Sequence, residues 1–356
     1  MGQVPCQMLR VAKNNAAACH KVRKLCELLA PRYPMNSSND AVLVGGTIAI
    51  DHVKTPDAEG TELLGGSAAY AALAASFYAP EVNLIGIVGK DFPARHLAML
   101  EGRGVNLAGV ERSEGDSFTW SGEYLENLNE RVTHRVGLNV LENWQVKVPT
   151  SLAAARVVVL ANMSPDNQLQ MLEQCTGEGR FVIADTMDLW IGIANERLHE
   201  VLGKIDLFVI NEGEAREFTG TANLVEAGRI LLGKGPRFVV IKLGEFGAML
   251  FSANGQAMGE TDSVPCPETF FRCAAFPLRG IVDPTGAGDS FLGGLAGYLA
   301  ARADGDFSFE NIRQAVAHGS VVASFTCEEF STRRLEGISA ADVEGRLEAF
   351  RKMTAW

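Results

Sequence analysis

The chain has no run of about 18 apolar residues, so it offers no membrane-spanning helix. It has no G-x-x-x-x-G-K-[ST] segment, and no G-x-G-x-x-G follows its first strand-like run. These absences speak against a P-loop nucleotidase and a dinucleotide-binding dehydrogenase. Its seven cysteines, at 6, 19, 26, 175, 266, 273 and 327, form no C-x-x-C pair and no Cys/His metal spacing. An odd count without a secretory signal fits reduced thiols, so a cytoplasmic location is expected. Cys175 and Cys327 are expected in the core, Cys266 and Cys273 in surface loops. A basic surplus is also missing: the net charge is −11, which argues against broad nucleic-acid binding and favours solubility. No internal repeat or low-complexity tract is visible.

What is present is the composition of a globular protein with a sizeable core, 47% hydrophobic and 21% charged over 356 residues. The first 34 residues stand apart. They carry Arg10, Lys13, Lys21, Arg23, Lys24 and Arg32 against one acid, Glu27, and have no apolar signal core. A targeting or surface helix, a disordered extension, and a natural start at Met35 are three open readings. Each makes residues 1–34 an extension outside the core, with a single domain over 41–352.

From residue 41 short apolar runs alternate with amphipathic stretches. Ala41–Val44, Val82–Val88, Arg156–Leu160, Phe181–Ala184, Leu207–Ile210 and Phe238–Lys242 read as strands. Gly66–Tyr78 reads as an alanine-rich helix, and a second helix is expected near Pro93–Arg103. Continuous β-branched runs separated by helices predict an α/β fold with a central, mostly parallel sheet flanked by helices. Polar residues recur just after strand-like runs, at Asp51, Asp185, Asn211 and Lys242. In open α/β sheets ligands bind at that edge, although Asp or Asn there also caps helices. Residues 115–140 read differently: Phe118–Tyr124 alternates, and Val136–Val140 reads as a partner. With residues 47–64 this segment is expected to form a small β lid. Trp120 is expected to fill the lid's own core rather than touch a ligand.

The most informative segment is Asp283-Pro-Thr-Gly-Ala-Gly-Asp289-Ser-Phe, which opens an apolar helical run. A glycine turn feeding a helix start leaves backbone N–H groups free to hold an anion. A carboxylate beside an anion hole repels the ligand unless it acts on something else, such as the proton of a hydroxyl that attacks a phosphate. The plain alternative is a capped helix with an acid in its first turn.

That segment matches, with Pro284 for the common Thr, the C-terminal signature of the ribokinase-like (PfkB) carbohydrate kinases, which the chain resembles from about 41 to 350. Gly65-Gly66-Ser-Ala-Ala-Tyr70-Ala71 with Gly86-Ile-Val-Gly-Lys-Asp91 resembles the N-terminal signature. Asn211-Glu-Gly-Glu214 matches the N-x-x-E motif, and Lys242-Leu-Gly244-Glu-Phe-Gly247 the strand-turn that contacts nucleotide.

The resemblance implies a ribokinase-like fold and an ATP-dependent kinase acting on a hydroxyl of a small sugar-like molecule. By position it makes Asp289 the general base and Gly286, Ala287 and Gly288 the anion hole. It gives Asn211 and Glu214 the ordering of Mg²⁺ through water. Lys242, Gly244 and Gly247 would lie against ATP, with His318 on the helix flanking the adenine, where a plain helix residue is the alternative. Asp283 and Thr285 would be ligands of a monovalent cation such as K⁺, as in some relatives. Asp51, Gly65, Gly66, Tyr70 and Asn139 would meet the acceptor. Lids of two subunits pairing would give a homodimer. Two departures set the acceptor pocket apart from a ribokinase or fructokinase. Tyr70 stands where many members carry an Asn, and Asp185-Thr-Met-Asp-Leu-Trp190 lacks the Asn and Arg of a related stretch. A nucleoside kinase is the alternative if Tyr70 or Trp190 stacks on a base. A non-catalytic regulator of the same fold is the third reading.

Overall fold

The computed structural model describes residues 40–128, 130–253, 269–302 and 305–355. The extension expected at 1–34, with Cys6, Cys19 and Cys26, lies outside the described residues, as does Cys266. Thirteen strands form two sheets among the described residues. They are β1 (Ala41–Gly45), β2 (Ala49–Lys54), β3 (Glu59–Gly65), β4 (Glu81–Val88), β5 (Val105–Arg112), β6 (Phe118–Tyr124), β7 (Arg131–Gly137), β8 (Val157–Leu160), β9 (Phe181–Asp185), β10 (Leu207–Asn211), β11 (Phe238–Lys242), β12 (Ala248–Ser252) and β13 (Phe270–Cys273). The helices are α1 (Ser67–Ala75), α2 (Ala94–Gly102), α3 (Pro165–Gln174), α4 (Asp188–Ile193), α5 (Asn195–Leu202), α6 (Glu212–Thr219), α7 (Leu224–Leu232), α8 (Ala287–Ala300), α9 (Phe309–Thr326), α10 (Arg333–Gly337) and α11 (Ala340–Thr354).

The main sheet runs β13-β12-β11-β10-β9-β8-β1-β4-β5 and is parallel except where β12 meets β11 and β13. Strand order reverses at β1, between β8 and β4, and such a switch point opens a crevice at the carboxyl ends of the strands. Alternation along β1 serves two cores. Val42 and Val44 join the layer with α1, α8, α9 and α11, while Ala41 and Leu43 join the layer with α3, α5 and α7. Both faces are covered, which is why the inner strands read as unbroken apolar runs.

The expected strands of the main sheet are all present, but the lid strand expected at Val136–Val140 is instead Arg131–Gly137, and Asn139–Leu141 is a 3₁₀ turn. The strand runs missed β5, β12 and β13. β5 is an edge strand in which only Val105 and Gly109 are buried, and β12 and β13 continue the sheet antiparallel beyond β11. Cys273, expected on a surface loop, is buried at the end of β13, and Cys327 is half-buried at the end of α9.

α1 is buried on every face because its side chains are nearly all small. That lets α8 approach closely: a Cβ on Gly293 would collide with the Ala71 carbonyl oxygen, and one on Gly297 with that of Ala75. Gly293→Val therefore forces two backbones apart and should cost about 3 kcal/mol of stability. Urea unfolding checks this; a variant as stable as wild type would show that the contact can relax.

The second sheet, β3-β2-β6-β7, is the lid. Val53, Leu63 and Tyr124 of the lid close over Phe330, with Trp120 and Leu128 packed against them. Ser331 donates from Oγ to the Leu64 carbonyl at 2.6 Å, tying the lid's root to the body. β7 is the outer edge of this sheet and is exposed along its length, including Val132 and Val136.

Candidate active site

Three of the polar strand-end residues stand side by side. Asp185 ends β9, Asn211 ends β10 and Lys242 ends β11, with Asn211 directly opposite Lys242 in register. Asp51, expected at the same edge, lies instead within β2 of the lid sheet, where it pairs with Leu63 and Trp120.

The loop into α8 is held by one buried carboxylate. Asp283 accepts from the backbone N–H of Thr285 at 2.9 Å and of Ser331 at 3.1 Å, one on each oxygen. Each oxygen takes one backbone donor, so Asp283 clamps the loop that carries Thr285. Gly286 follows with φ +76°, a left-handed conformation that glycine adopts freely, and any Cβ there would enter the Tyr70 ring. Tyr70 is 1% exposed. It supports the anion loop from beneath and has no face for an acceptor, which corrects its expected role at the substrate.

The Ala287 N–H already donates to the Pro284 carbonyl at 3.1 Å. The anion hole expected from Gly286, Ala287 and Gly288 therefore lacks the Ala287 donor. The remaining first-turn N–H groups of α8 have no intrahelical carbonyl to meet. A Cβ on Gly288 would lie 3.1 Å from Lys242 Nζ, so the ammonium sits against the start of the helix. Helix terminus and ammonium together make a strong anion cradle.

Lys242 is bonded to Asp185 at 3.2 Å. Burial alone would lower its pKa, but the carboxylates of Asp185, Glu214 and Asp289 outweigh burial and raise it, so it stays charged. Asp289 is pushed up to about 6 by burial and by Asp185, against the pull of Lys242 and Arg131. Glu214 rises to about 7 through burial and Asp185, with Lys242 opposing. Asn211 and Glu214 bond each other's backbone N–H, at 2.9 Å in both directions, capping α6.

Asp51 is 4% exposed, and burial, with the nearby charges of Asp283 and Asp289, pushes its pKa up to about 8. Its Oδ1 is buried with no hydrogen-bond partner. Gly65 and Gly66, expected to let the acceptor near the backbone, have other reasons. A Cβ on Gly65 would overlap the Asp51 carboxyl group, and Gly66, at φ +92°, has the Thr47 carbonyl where its Cβ would be. From there Ser67 Oγ donates to the Asn162 carbonyl at 2.8 Å, and Trp190 Nε1 donates to Asn162 Oδ1 at 2.9 Å, fixing the half-buried indole.

Two expected residues are elsewhere. Asn139 is exposed and donates to the Ser117 carbonyl at 2.8 Å, at the root of the lid. His318 is buried between Tyr298, stacked at 4.1 Å, and Tyr78, edge-on at 5.0 Å, and burial pushes its pKa down to about 4. Helical periodicity turns the opposite face of α9 to the site.

That face lines a cavity of about 480 Å³ with Ser320, Ala323, Ser324 and Cys327. Gly244, Gly247, Lys242, Ala287 and Gly288 floor it, while Phe276 and Ile281 form apolar walls. The walls were not recognised in the sequence. Residues 275–281 carry no periodicity, and only the packing of α9 shows which of its faces is open. The cavity thus has an apolar end and, at Gly288 and Lys242, an anion-binding end, and Asp289 follows Gly288 in the chain.

The family model for pfkB family carbohydrate kinases matches residues 40–336. A cytidine kinase from Thermococcus kodakarensis is 28% identical over 267 residues, 73% of this chain and 89% of that one. The structure of ribokinase from Giardia lamblia superposes with a TM-score of 0.71 at 18% identity, covering 88% of this chain and all of that one. A ribokinase II from E. coli in complex with ATP and Mg²⁺ superposes with a TM-score of 0.68 at 18% identity, covering 87% and 99%. With the fold, the glycine-bounded anion loop and the family match over most of its length, this chain belongs to the pfkB family of carbohydrate kinases, phosphotransferases with a hydroxyl acceptor.

Proposed function

We propose that the protein transfers the γ-phosphoryl group of ATP to a hydroxyl of a small ribose-bearing molecule, with a nucleoside as the acceptor class. The observation that carries this reading is the unpaired Oδ1 of Asp51 in a centre shared with Asp289. A buried acceptor atom without a donor is costly, and a hydroxyl of the substrate would relieve it. A carboxylate with two oxygens suits neighbouring hydroxyls of a sugar ring. Trp190, held by Asn162, supplies an aromatic surface for a base, in place of the buried Tyr70. The cytidine kinase relative supports the same class.

In this reading adenine occupies the apolar end of the 480 Å³ cavity, and the phosphates run to Gly288 and Lys242. Asp289 takes the proton of the acceptor hydroxyl, the freed oxygen attacks the γ-phosphorus, and ADP leaves. Asn211 and Glu214, with Asp185 beside them, present hard oxygen donors, and the raised pKa of Glu214 marks a site that a cation would relieve. Mg²⁺ bound there through water would neutralise phosphate charge.

Release of ADP with ATP and Mg²⁺ across nucleosides, pentoses, hexoses, sugar acids and polyols tests the reading. A nucleoside is expected to give the strongest response. A response confined to free sugars would overturn the nucleoside class, and silence across the panel would overturn the ribose-bearing acceptor.

A further inference from the structure

The segment that leaves α9 touches the nucleotide cavity, the anion loop and the lid in quick succession. Cys327 lines the 480 Å³ cavity, and its carbonyl accepts from the Val282 N–H at 2.9 Å, just before the anion loop. Phe330 closes the lid core with Val53, Leu63 and Tyr124. Ser331 is 3% exposed and bonds in two directions. Its Oγ donates to the Leu64 carbonyl of β3 at 2.6 Å, while its N–H donates to Asp283 Oδ2 at 3.1 Å. The other Asp283 oxygen accepts from the Thr285 N–H at 2.9 Å, and Thr285 Oγ1 donates to the Tyr124 hydroxyl at 3.4 Å. Tyr124 shares the lid core with Phe330, so the contacts close into a ring. The ring runs from β3 through Ser331, Asp283 and Thr285 to β6, and Thr285 immediately precedes Gly286.

The backbone of Ser331 singles it out within this ring. Four non-glycine residues have positive φ among the described residues: Glu62, Leu128, Asn139 and Ser331, and only Ser331 is buried. Its φ of +58° is a conformation that glycine adopts freely and serine rarely does. Glycine, however, carries no hydroxyl. A residue kept in a sparsely populated conformation is held there by its surroundings. Here that conformation goes with both donors being used at once, the N–H on the clamp of the anion loop and the hydroxyl on the lid. Leu63, next to Leu64, pairs with Asp51, so the lid end of the ring lies beside the acceptor's proposed carboxylate.

We propose that Ser331 is a positioning residue that couples the lid to the anion loop, so that phosphate held at the loop tightens β3 and a tightened β3 steadies the loop. Such coupling is reciprocal between the two sites. The inference rests on the phosphates of the nucleotide meeting the start of α8, and not on which acceptor the enzyme takes.

Amide hydrogen exchange over Glu59–Gly65 tests it in wild type, Ser331→Ala and Ser331→Gly. Each protein is measured alone and saturated with a non-hydrolysable ATP analogue and Mg²⁺. In wild type the analogue should slow exchange of β3 about tenfold, the order that one buried hydrogen bond supplies. Ser331→Ala keeps the N–H for Asp283 and removes the hydroxyl, so the analogue should change the exchange of β3 less than about twofold. Ser331→Gly removes the same hydroxyl and takes the left-handed conformation without strain, so it keeps the fold if alanine does not. Losing one tie raises the exchange of β3 without nucleotide as well. The ratio with and without the analogue is what separates coupling from a plain structural role. A wild-type ratio in either variant would overturn the inference, as would a wild-type β3 whose exchange ignores bound analogue. Failure of the wild type to bind the analogue would overturn the nucleotide reading of the cavity and this inference with it. Loss of the ratio in both variants of an enzyme that phosphorylates no nucleoside would uphold the coupling and overturn the acceptor class alone.

Discussion

Asp289→Asn is expected to reduce turnover by about 10³-fold or more while leaving ATP affinity within about threefold of wild type. The amide keeps the shape of the side chain but cannot accept the hydroxyl proton. The cradle formed by the start of α8 and Lys242 is untouched, so the nucleotide still finds its phosphate site. Burial and Asp185 hold the Asp289 pKa at about 6. The base is therefore ionised above pH 6 and protonated below it, and kcat of the wild type should fall as pH drops through about 6. Steady-state kinetics with a parallel ATP titration checks both parts. Near wild-type turnover in the variant would remove Asp289 from the base role.

Asp51→Asn is expected to separate stability from function. The Asp51 pKa is raised from 3.8 to about 8 in the folded protein. Between those values the folded state binds the proton more tightly than the unfolded chain, so this group's contribution falls as pH rises from about 4 to 8. Asparagine carries no such charge. The variant should be more stable than wild type by roughly 2–4 kcal/mol at pH 8, with the difference vanishing near pH 4. If, as proposed, Asp51 meets the acceptor, the same change removes a carboxylate oxygen from its site, so kcat/KM for the acceptor should fall about 10²-fold or more. Thermal melts at pH 4 and pH 8, with acceptor kinetics, give the test. Equal or lower stability at pH 8 would show that Asp51 is not held under electrostatic strain.

The contrast between these two aspartates bears on what the sequence discloses. Asp289 was legible because a local pattern, glycines before a helix with an acid in its first turn, carries its own geometry. The inner strands were legible because burial on both faces demands continuous β-branched runs. Asp51 was singled out by its place after the first strand and falls in the 47–64 segment expected in the lid, but its register opposite Trp120 of β6 is a long-range pairing that no local pattern announces. Tyr70 looked like an acceptor residue because of its position in a glycine motif. The packing of α1 beneath Gly286 turned it into a support instead. His318 was placed on the right helix but on the wrong face, since only the contacts with Tyr78 and Tyr298 decide which side of α9 is covered. Gly65 was assigned to close approach by the acceptor, but the group that lies against it is the Asp51 carboxyl group.

Transfer of label from γ-labelled ATP to cytidine and to ribose, measured side by side in the wild type and in Asp289→Asn, tests the central claim most directly. Label on the nucleoside in excess of ribose, lost in the variant, is the predicted result. Label on neither acceptor, or equal label in wild type and variant, would contradict it.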